Sequence, residues 1–567
     1  MIKQPLYIRP SQFEALEDRI APATIIVTNL DNDGAGSLRD AVMQANTDAG
    51  ADTIKFQKGL EGTITLATDI AISESVKIVG PGIDKIAVSG NNAVRIFNIS
   101  DGDANTLQTI SISGLGFVSG SSSNGGAIFT EESLILDKTA FTANNASSNG
   151  GAIFSRSVGD FIMKNSTVSG NEATGTGGGV YVYSLGPGGQ IVNSVISANT
   201  ANSGGGLFLY GTAAGTSFLL SKTTVSNNTA TGAGGGILSD IDAGTLTIKS
   251  SNITGNSSAN GGGLYFDDGT LVVDKSTFSG NNATNSGGAI TASSVLQVTI
   301  KSSNIVGNNA TNDGGGLSLY ATANGSTIIS STLTGNSAGD TGGGIFARGE
   351  TLDVKSSKLI ANFASNFGGG IRSEGGGVLN LTKAALSDNH SGSAGGGVST
   401  AGMAANAVDL NIISSTFTAN RSVHGGGVDT IGDGVIAISG SKFIENIASN
   451  GDGGAMYLRT STTATITGSL FQKNSASDDA GAVALYDSAN TGTAVISKSK
   501  FFGNTAKDTG GAINVFQSFA SAVISGSTIQ GNVAGGIGGG LYAFSNATVE
   551  NSKITGNLAP TAPNSNL

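Results

Sequence analysis

Asp240 and Asp267 occupy equivalent places in two successive copies of a repeated sequence unit, 27 residues apart. If the copies stack, the two carboxylates lie one above the other, and like charges directly opposed on a sheet are destabilising. A cation held between them, or a catalytic pair in which one carboxyl keeps its proton, would remove the conflict. Either chemistry needs further groups, and no convincing set of Arg, Lys or additional Asp accompanies the pair in sequence. A solvated acidic face is therefore the leading reading, and a carboxylate site the alternative. Asn29-x-Asp31-x-Asp33-Gly34, with Asp40 at the twelfth position, has the spacing of a calcium loop. Asn opens it and Asp replaces the final bidentate Glu, so calcium there is the weaker expectation. His390 and His424 are 34 residues apart, lack a Ser or Cys constellation, and are expected to be solvated turn residues. Cys is absent, which excludes disulfides and thiolate metal sites.

The elements that would position these groups follow from the repeat. An Asn stands three residues after an apolar side chain at Asn144, Asn171, Asn199, Asn228, Asn256, Asn281, Asn308, Asn336, Asn362, Asn389, Asn420, Asn446, Asn474, Asn504, Asn532 and Asn557. Fifteen steps carry the chain from the first to the last, an average of about 27.5 residues. Five residues before each Asn lies Ser or Thr, with Ala384 as the exception. A Gly cluster follows each Asn but the last, and after it come an apolar residue (position one), a variable one, a second apolar or small one, and another variable one. This is the period-two pattern of a short strand with one face buried. No unit carries a helical pattern, and the Gly cluster would break one.

Two or three short strands per unit cannot bury an apolar face alone, but stacked copies can, each strand pairing with its equivalent one turn away. Pairing is parallel because the chain winds one way, and parallel crossovers are overwhelmingly right-handed. The expected fold is all-β: a single-stranded right-handed parallel β-helix of about 17 coils of roughly 27 residues. The Asn column forms an amide ladder in an inner turn, and the Gly cluster permits positive φ at a sharp corner. Leucine-rich repeats share an Asn and a similar period but need several Leu and a helical return; left-handed β-helices need hexapeptides. Neither pattern is present.

On such a rod the variable positions form outward columns. Position two gives Phe129, Phe154, Tyr181, Phe208, Leu238 and Tyr265, with Tyr183 and Tyr210 beside them at position four. These rings reinforce the rod by stacking or form a contact surface for a glycan, another surface protein or a second copy of the chain. Position four also brings Glu131 opposite Arg156 and Arg348 opposite Glu374, sensible ladder pairs.

Phe141-Thr142-Ala143-Asn144 with Gly150-Gly151-Ala152-Ile153, and Phe278-Ser279-Gly280-Asn281 with Gly287-Gly288-Ala289-Ile290, resemble the repeats of the polymorphic outer-membrane proteins. The resemblance runs from about residue 117 to 559 and implies a surface-exposed, adhesive β-helix of the pectin-lyase-like superfamily. It departs at the end: the family carries a C-terminal outer-membrane barrel, whereas Asn557 stands ten residues from the last residue, so another anchoring route is expected. Gly36-Ser37-Leu38-Arg39-Asp40-Ala41-Val42 resembles a bacterial extracellular module with a Ser-Leu-Arg core that commonly precedes such β-helices. Ser37 is a plausible helix N-cap, and Leu38, Ala41, Val42 and Ala45 give a short apolar stripe suited to covering the open first coil. Leu16-Glu17-Asp18-Arg19, followed by Ala21-Pro22-Ala23, resembles a Leu-Glu-x-Arg sorting segment of bacterial surface and secreted proteins. In pectate lyases and polygalacturonases, also resembled in fold, carboxylates lie on such a face, which gives the alternative reading its substrate class: acidic glycans.

Composition closes off other classes. The net charge of −11 makes nucleic acid an unfavourable partner, and no stretch is apolar enough for a membrane-spanning helix. The 88 glycines are compatible with a folded chain because they recur at a fixed period beside 38% hydrophobic residues. The sequence divides into a sorting or processing segment (1–23), a cap with irregular first coils (24–118), regular repeats (119–559) and a short tail (560–567). The overall expectation is a non-catalytic rod, extracellular or on the bacterial cell surface, without a cofactor.

Overall fold

The computed structural model describes residues 23–48, 50–103, 106–183, 188–211, 215–402, 406–460, 462–487 and 489–560. The Leu-Glu-x-Arg motif at 16–19 lies outside them, as does nearly all of the tail. Each regular coil has four strands, one or two more than alternation in the sequence predicts. In one coil they are Ile237–Ile241, Thr245–Lys249, Asn252–Thr254 and Ser257–Ser258. Their equivalents stack in parallel into four sheets, here called sheets one to four in that order. The fourth strand follows the repeat Asn and has only two residues, too few to show alternation. Its inward residue is small, as at Ala283, Ala310 and Ala338, so the wall can approach the core closely.

Corners are set by residues in the left-handed region. Between sheets two and three one residue turns the chain, for example Lys222, Ser250, Lys275 and Ser302, with φ of 50–51°. A second such corner precedes the Asn, at Asn227 and Gly280 among others. The Gly cluster makes the third. Gly287 has φ +68°, and a Cβ on the next residue type, as at Gly262, would lie 2.5 Å from the Asn282 carbonyl of the following coil. One glycine is needed for its φ, the other for a close backbone approach.

Inside, positions one and three are buried together with alternate residues of sheets two and three, including Ile237, Leu246, Ile248 and Ile253 at 0% exposure. Phe417, Phe443, Phe471 and Phe501 stack up the core with ring centroids 4.7–5.0 Å apart. The solenoid makes about 19 turns, three more than the sixteen ladder asparagines and two more than the 17 coils expected from the sequence. The extra turns are early ones: strands Gly62–Thr65, Ile86–Ser89 and Gly116–Val118 join sheet three without a ladder Asn, and only the last is followed by a Gly cluster, at Gly125–Gly126. At about 4.8 Å per turn the rod is on the order of 90 Å long.

Helix α1 (Leu38–Ala45) covers the first coil. Ser37 caps it by accepting a hydrogen bond from the Asp40 N–H, and Leu38, Ala41, Val42 and Ala45 are its buried residues. Arg39 ties the helix to the coil below, donating to the carbonyls of Thr68 and Asp69 at 2.7 Å and of Asn32 at 3.1 Å.

Candidate functional site

The rod places side chains through two internal files. From Asn144 to Asn532, each Asn Nδ2 donates to Oδ1 of the next Asn at 2.8–3.0 Å, as in Asn228–Asn256, Asn308–Asn336 and Asn504–Asn532. The backbone N–H of the same Asn shares that acceptor, and Nδ2 also reaches back to a carbonyl of the previous coil, Asn171 to Phe141 for example. The Ser/Thr column forms the second file: Ser251 N–H donates to Ser276 Oγ and Ser276 N–H to Ser303 Oγ, both at 3.1 Å. These files fix the register from coil to coil, so outward residues align without slippage.

Along sheet one, position two points outward yet is mostly covered. Phe154, Tyr181 and Phe208 retain only 8–9% exposure. Phe129 stacks on Phe154 at 5.7 Å, Phe154 meets Tyr181 edge-on at 4.9 Å, and Tyr181 stacks on Phe208 at 4.7 Å. Tyr183 and Tyr210 stack alongside at 5.1 Å. The expected open aromatic face is thus narrower than the sequence implies, because the rings cover one another. Its accessible part is Phe129, Tyr183, Tyr210 and Tyr265, each half-buried. The Phe129 ring is further flanked by Arg95 and Arg156. Position four forms the Glu131–Arg156 and Arg348–Glu374 ion pairs.

Asp240 and Asp267 are paired in register, as their spacing predicts. Burial first, then neighbouring carboxylates, pushes both carboxyls above the usual range. The carboxylates that converge, however, are those of Asp240, Asp242 and Asp268, whose oxygens lie within 4.8 Å of one another; Asp267 is not among them. The calcium-loop residues are not brought together. Asn29 Oδ1 accepts from the Asp31 N–H, Asp33 Oδ2 from Asn32 Nδ2, and Asp40 Oδ2 from Gly36 N–H and Gln44 Nε2. Each side chain serves its own turn, and Asp40 serves the start of α1.

A second constellation has no counterpart in the sequence reading. His424, expected to be a solvated turn residue, is half-buried: its ring lies 5.4 Å from that of Tyr457, and Nδ1 accepts from the Asp452 N–H at 3.2 Å. His390 does lie exposed, in a two-residue strand of sheet four. Tyr457 carries the Arg459 guanidinium 4.9 Å from its ring centroid, and Arg459 donates to both oxygens of Asp429, which is fully buried. Burial pushes the Asp429 and Asp452 carboxyls up to about 6, with Arg459 opposing the rise at Asp429. Oxygens of Asp452, Asp478 and Asp479 also converge within 4.8 Å. The consecutive Asp478-Asp479 and Asp452 one coil earlier could have revealed this in sequence, had the corner before the Gly cluster been followed as a column. A cleft of about 340 Å³ opens near the N-terminal end of the same face, between Ser100–Asp103, Thr106–Leu107, Glu131–Glu132 and Arg156–Val158.

Fold and columns together define a right-handed parallel β-solenoid whose outward side chains align in files along the axis. Residues 222–240 and 275–293 match the Chlamydia polymorphic membrane protein (Chlamydia_PMP) repeat. No curated protein matches the chain. Among solved structures, a point mutant of the PL6 family alginate lyase AlyGC is 11% identical, with 95% of this chain and 100% of that chain covered, at a TM-score of 0.29. The ORF18 protein of Geobacillus virus E2 is also 11% identical, covering 72% of this chain and 62% of that one, at a TM-score of 0.20. Among the described residues no helix is long and apolar enough to cross a membrane.

Proposed function

We propose that the chain is a non-catalytic extracellular or cell-surface rod, adhesin-like or matrix-forming. Its sheet-one face would meet a glycan, another surface protein or a second copy of the chain. The observation that carries this reading is uniformity: the Asn file runs unbroken from Asn144 to Asn557. Typical connections stay short, as at Asp242–Gly244 between two strands. An enzyme on such a scaffold needs loops that wall a cleft around its substrate. The match to a polymorphic membrane protein repeat supports a surface setting. The half-buried Phe129, Tyr183, Tyr210 and Tyr265 supply the contact, and the covered rings beneath keep them in place. Tyr183→Ser with Tyr210→Ser should weaken binding to a glycan array or to cells at least several-fold while the melting temperature holds. Unchanged binding would remove the contact role.

A lyase or hydrolase acting on acidic glycans is the second reading, favoured by the raised carboxyls of Asp240 and Asp267. It requires turnover of a uronic-acid polymer that disappears in Asp240→Asn. Absence of turnover across a panel of such polymers would end it.

A further inference from the structure

We propose that the edge between sheets two and three binds a linear anionic polysaccharide lying along the rod. Of the 15 lysines between residues 119 and 559, 13 stand at this edge, and the exceptions are Lys473 and Lys507. They form three neighbouring files. One holds the last residue of the sheet-two strands, as at Lys249 and Lys301. The next holds the corner residue, as at Lys222 and Lys275, and the third opens the sheet-three strands, as at Lys358 and Lys500. All 13 are exposed. Among the described residues only two of them form ion pairs, Lys301 with Asp274 at 3.9 Å and Lys355 with Asp353 at 2.7 Å. The same files hold three acids, Asp137, Asp274 and Glu550, although the stretch contains 26. The basic charge is therefore segregated to this edge and largely unneutralised there.

The backbone gives an independent sign that the charge matters. Five of the corner residues are Lys, with φ of 50–53°. Gly and Asn enter this region most readily, and other coils place Asn193, Ser250 or Gly440 there. A long unbranched side chain gains nothing from the conformation, so the recurrence of Lys answers to its charge. Lys222, Lys249, Lys275 and Lys301 come from four successive coils, about 4.8 Å apart along the axis, and the files together run on the order of 70 Å. A polymer with one carboxylate or sulfate per sugar unit, laid along the axis, meets these charges in sequence and releases its counterions. Thr224 and Ser226, with Thr277 and Ser279, point outward beside the files and offer hydroxyls to the sugar ring. Nucleic acid fits less well. Single strands are held by base stacking on aromatic side chains, and between residues 119 and 559 the outward positions of these two sheets carry one ring, Phe502. The net charge of −11 opposes the contact little, because at physiological salt charges beyond about 8 Å are screened. The edge is separate from the sheet-one face, and only its ligand class rests on the surface-rod reading.

Fluorescence anisotropy of labelled polygalacturonate, titrated with the full chain at low ionic strength, tests the edge. The wild type should bind, with an affinity whose logarithm falls linearly with the logarithm of salt concentration. Lys222→Gln, Lys249→Gln, Lys275→Gln and Lys301→Gln together should weaken binding by about tenfold or more and flatten that slope, while the melting temperature holds. Lys249→Gln with Lys275→Gln should cost several-fold. Lys473→Gln with Lys507→Gln makes the same change in net charge away from the edge and should bind as the wild type does. Tyr183→Ser with Tyr210→Ser should also bind this polymer normally, so the lysine edge and the sheet-one contact succeed or fail separately. Four results would each overturn the assignment: no binding by the wild type, wild-type affinity in the quadruple variant, loss confined to the control or tyrosine pairs, or tighter binding of single-stranded DNA of equal charge.

Discussion

At the scale of single residues, the internal files do two jobs: they satisfy buried polar groups and they hold the register. An interior Asn meets the coil on either side, so Asn308→Ala removes one rung and strands its neighbours' donors and acceptors. Loss of about 1–3 kcal/mol of stability is expected in denaturant unfolding. Ala384 offers the converse test. Its methyl interrupts the Ser/Thr file, although its own N–H still donates to Ser415 Oγ at 3.0 Å. Ala384→Ser supplies the missing acceptor for the Ser357 N–H and should stabilise by about 0.5–1.5 kcal/mol. Glu350 is a different case: only 3% exposed, it accepts from the Thr322 and Ser326 hydroxyls while Oε1 has no partner. Burial pushes its carboxyl up to about 7. A carboxyl raised in the fold contributes stability that is complete below its unfolded value and is lost as pH rises through the folded one. Stability should therefore fall between about pH 4.5 and 7, by on the order of 3 kcal/mol from this group and visible as a falling melting temperature, and Glu350→Gln should flatten that slope. An unchanged slope would show that the group keeps an ordinary value.

At the scale of elements, the corners separate what the sequence reveals from what it hides. The strand after the Gly cluster and the Asn column were legible because alternation and identity recur in every copy. The Ser37 cap and the apolar stripe of α1 were legible for a related reason: local hydrogen bonding and helical spacing involve near neighbours in sequence. The two-residue strand of sheet four was not, since a pair such as Asn282–Ala283 cannot display a period. The corner between sheets two and three was hidden as well, because Lys222, Ser250 and Asn193 share a backbone conformation and not a residue type. The Asp452 corner escaped notice because its members gather from different coils through a column whose residue type varies. Gly262 makes the element-scale prediction: its added Cβ would lie 2.5 Å from the Asn282 carbonyl and 2.6 Å from that of Gly288. Both obstacles are backbone atoms, so Gly262→Ala should destabilise by at least about 1–3 kcal/mol, whereas the exposed Gly280→Asn should be tolerated because nothing lies within 4 Å of its Cβ and Asn accepts the left-handed region.

At the scale of the whole molecule, in-register stacking turns each sequence column into a physical line along the rod. Stability then comes from neighbouring coils, each contributing its own burial and its interface with the next. The outer face of sheet one inherits this order: aromatic toward the N-terminal half, acidic around Asp240 and Asp267, and mixed His, Tyr, Arg and Asp near residues 424–479. Burial narrowed the aromatic contact surface, since three rings assigned to it are instead covered by their neighbours. Cryo-electron microscopy of the purified chain tests the stacking most directly. The account predicts a single unbranched rod about 90 Å long, with rungs about 4.8 Å apart and the sixteen asparagines in one continuous inner file. Separate globular lobes, or a file broken between consecutive asparagines, would contradict it.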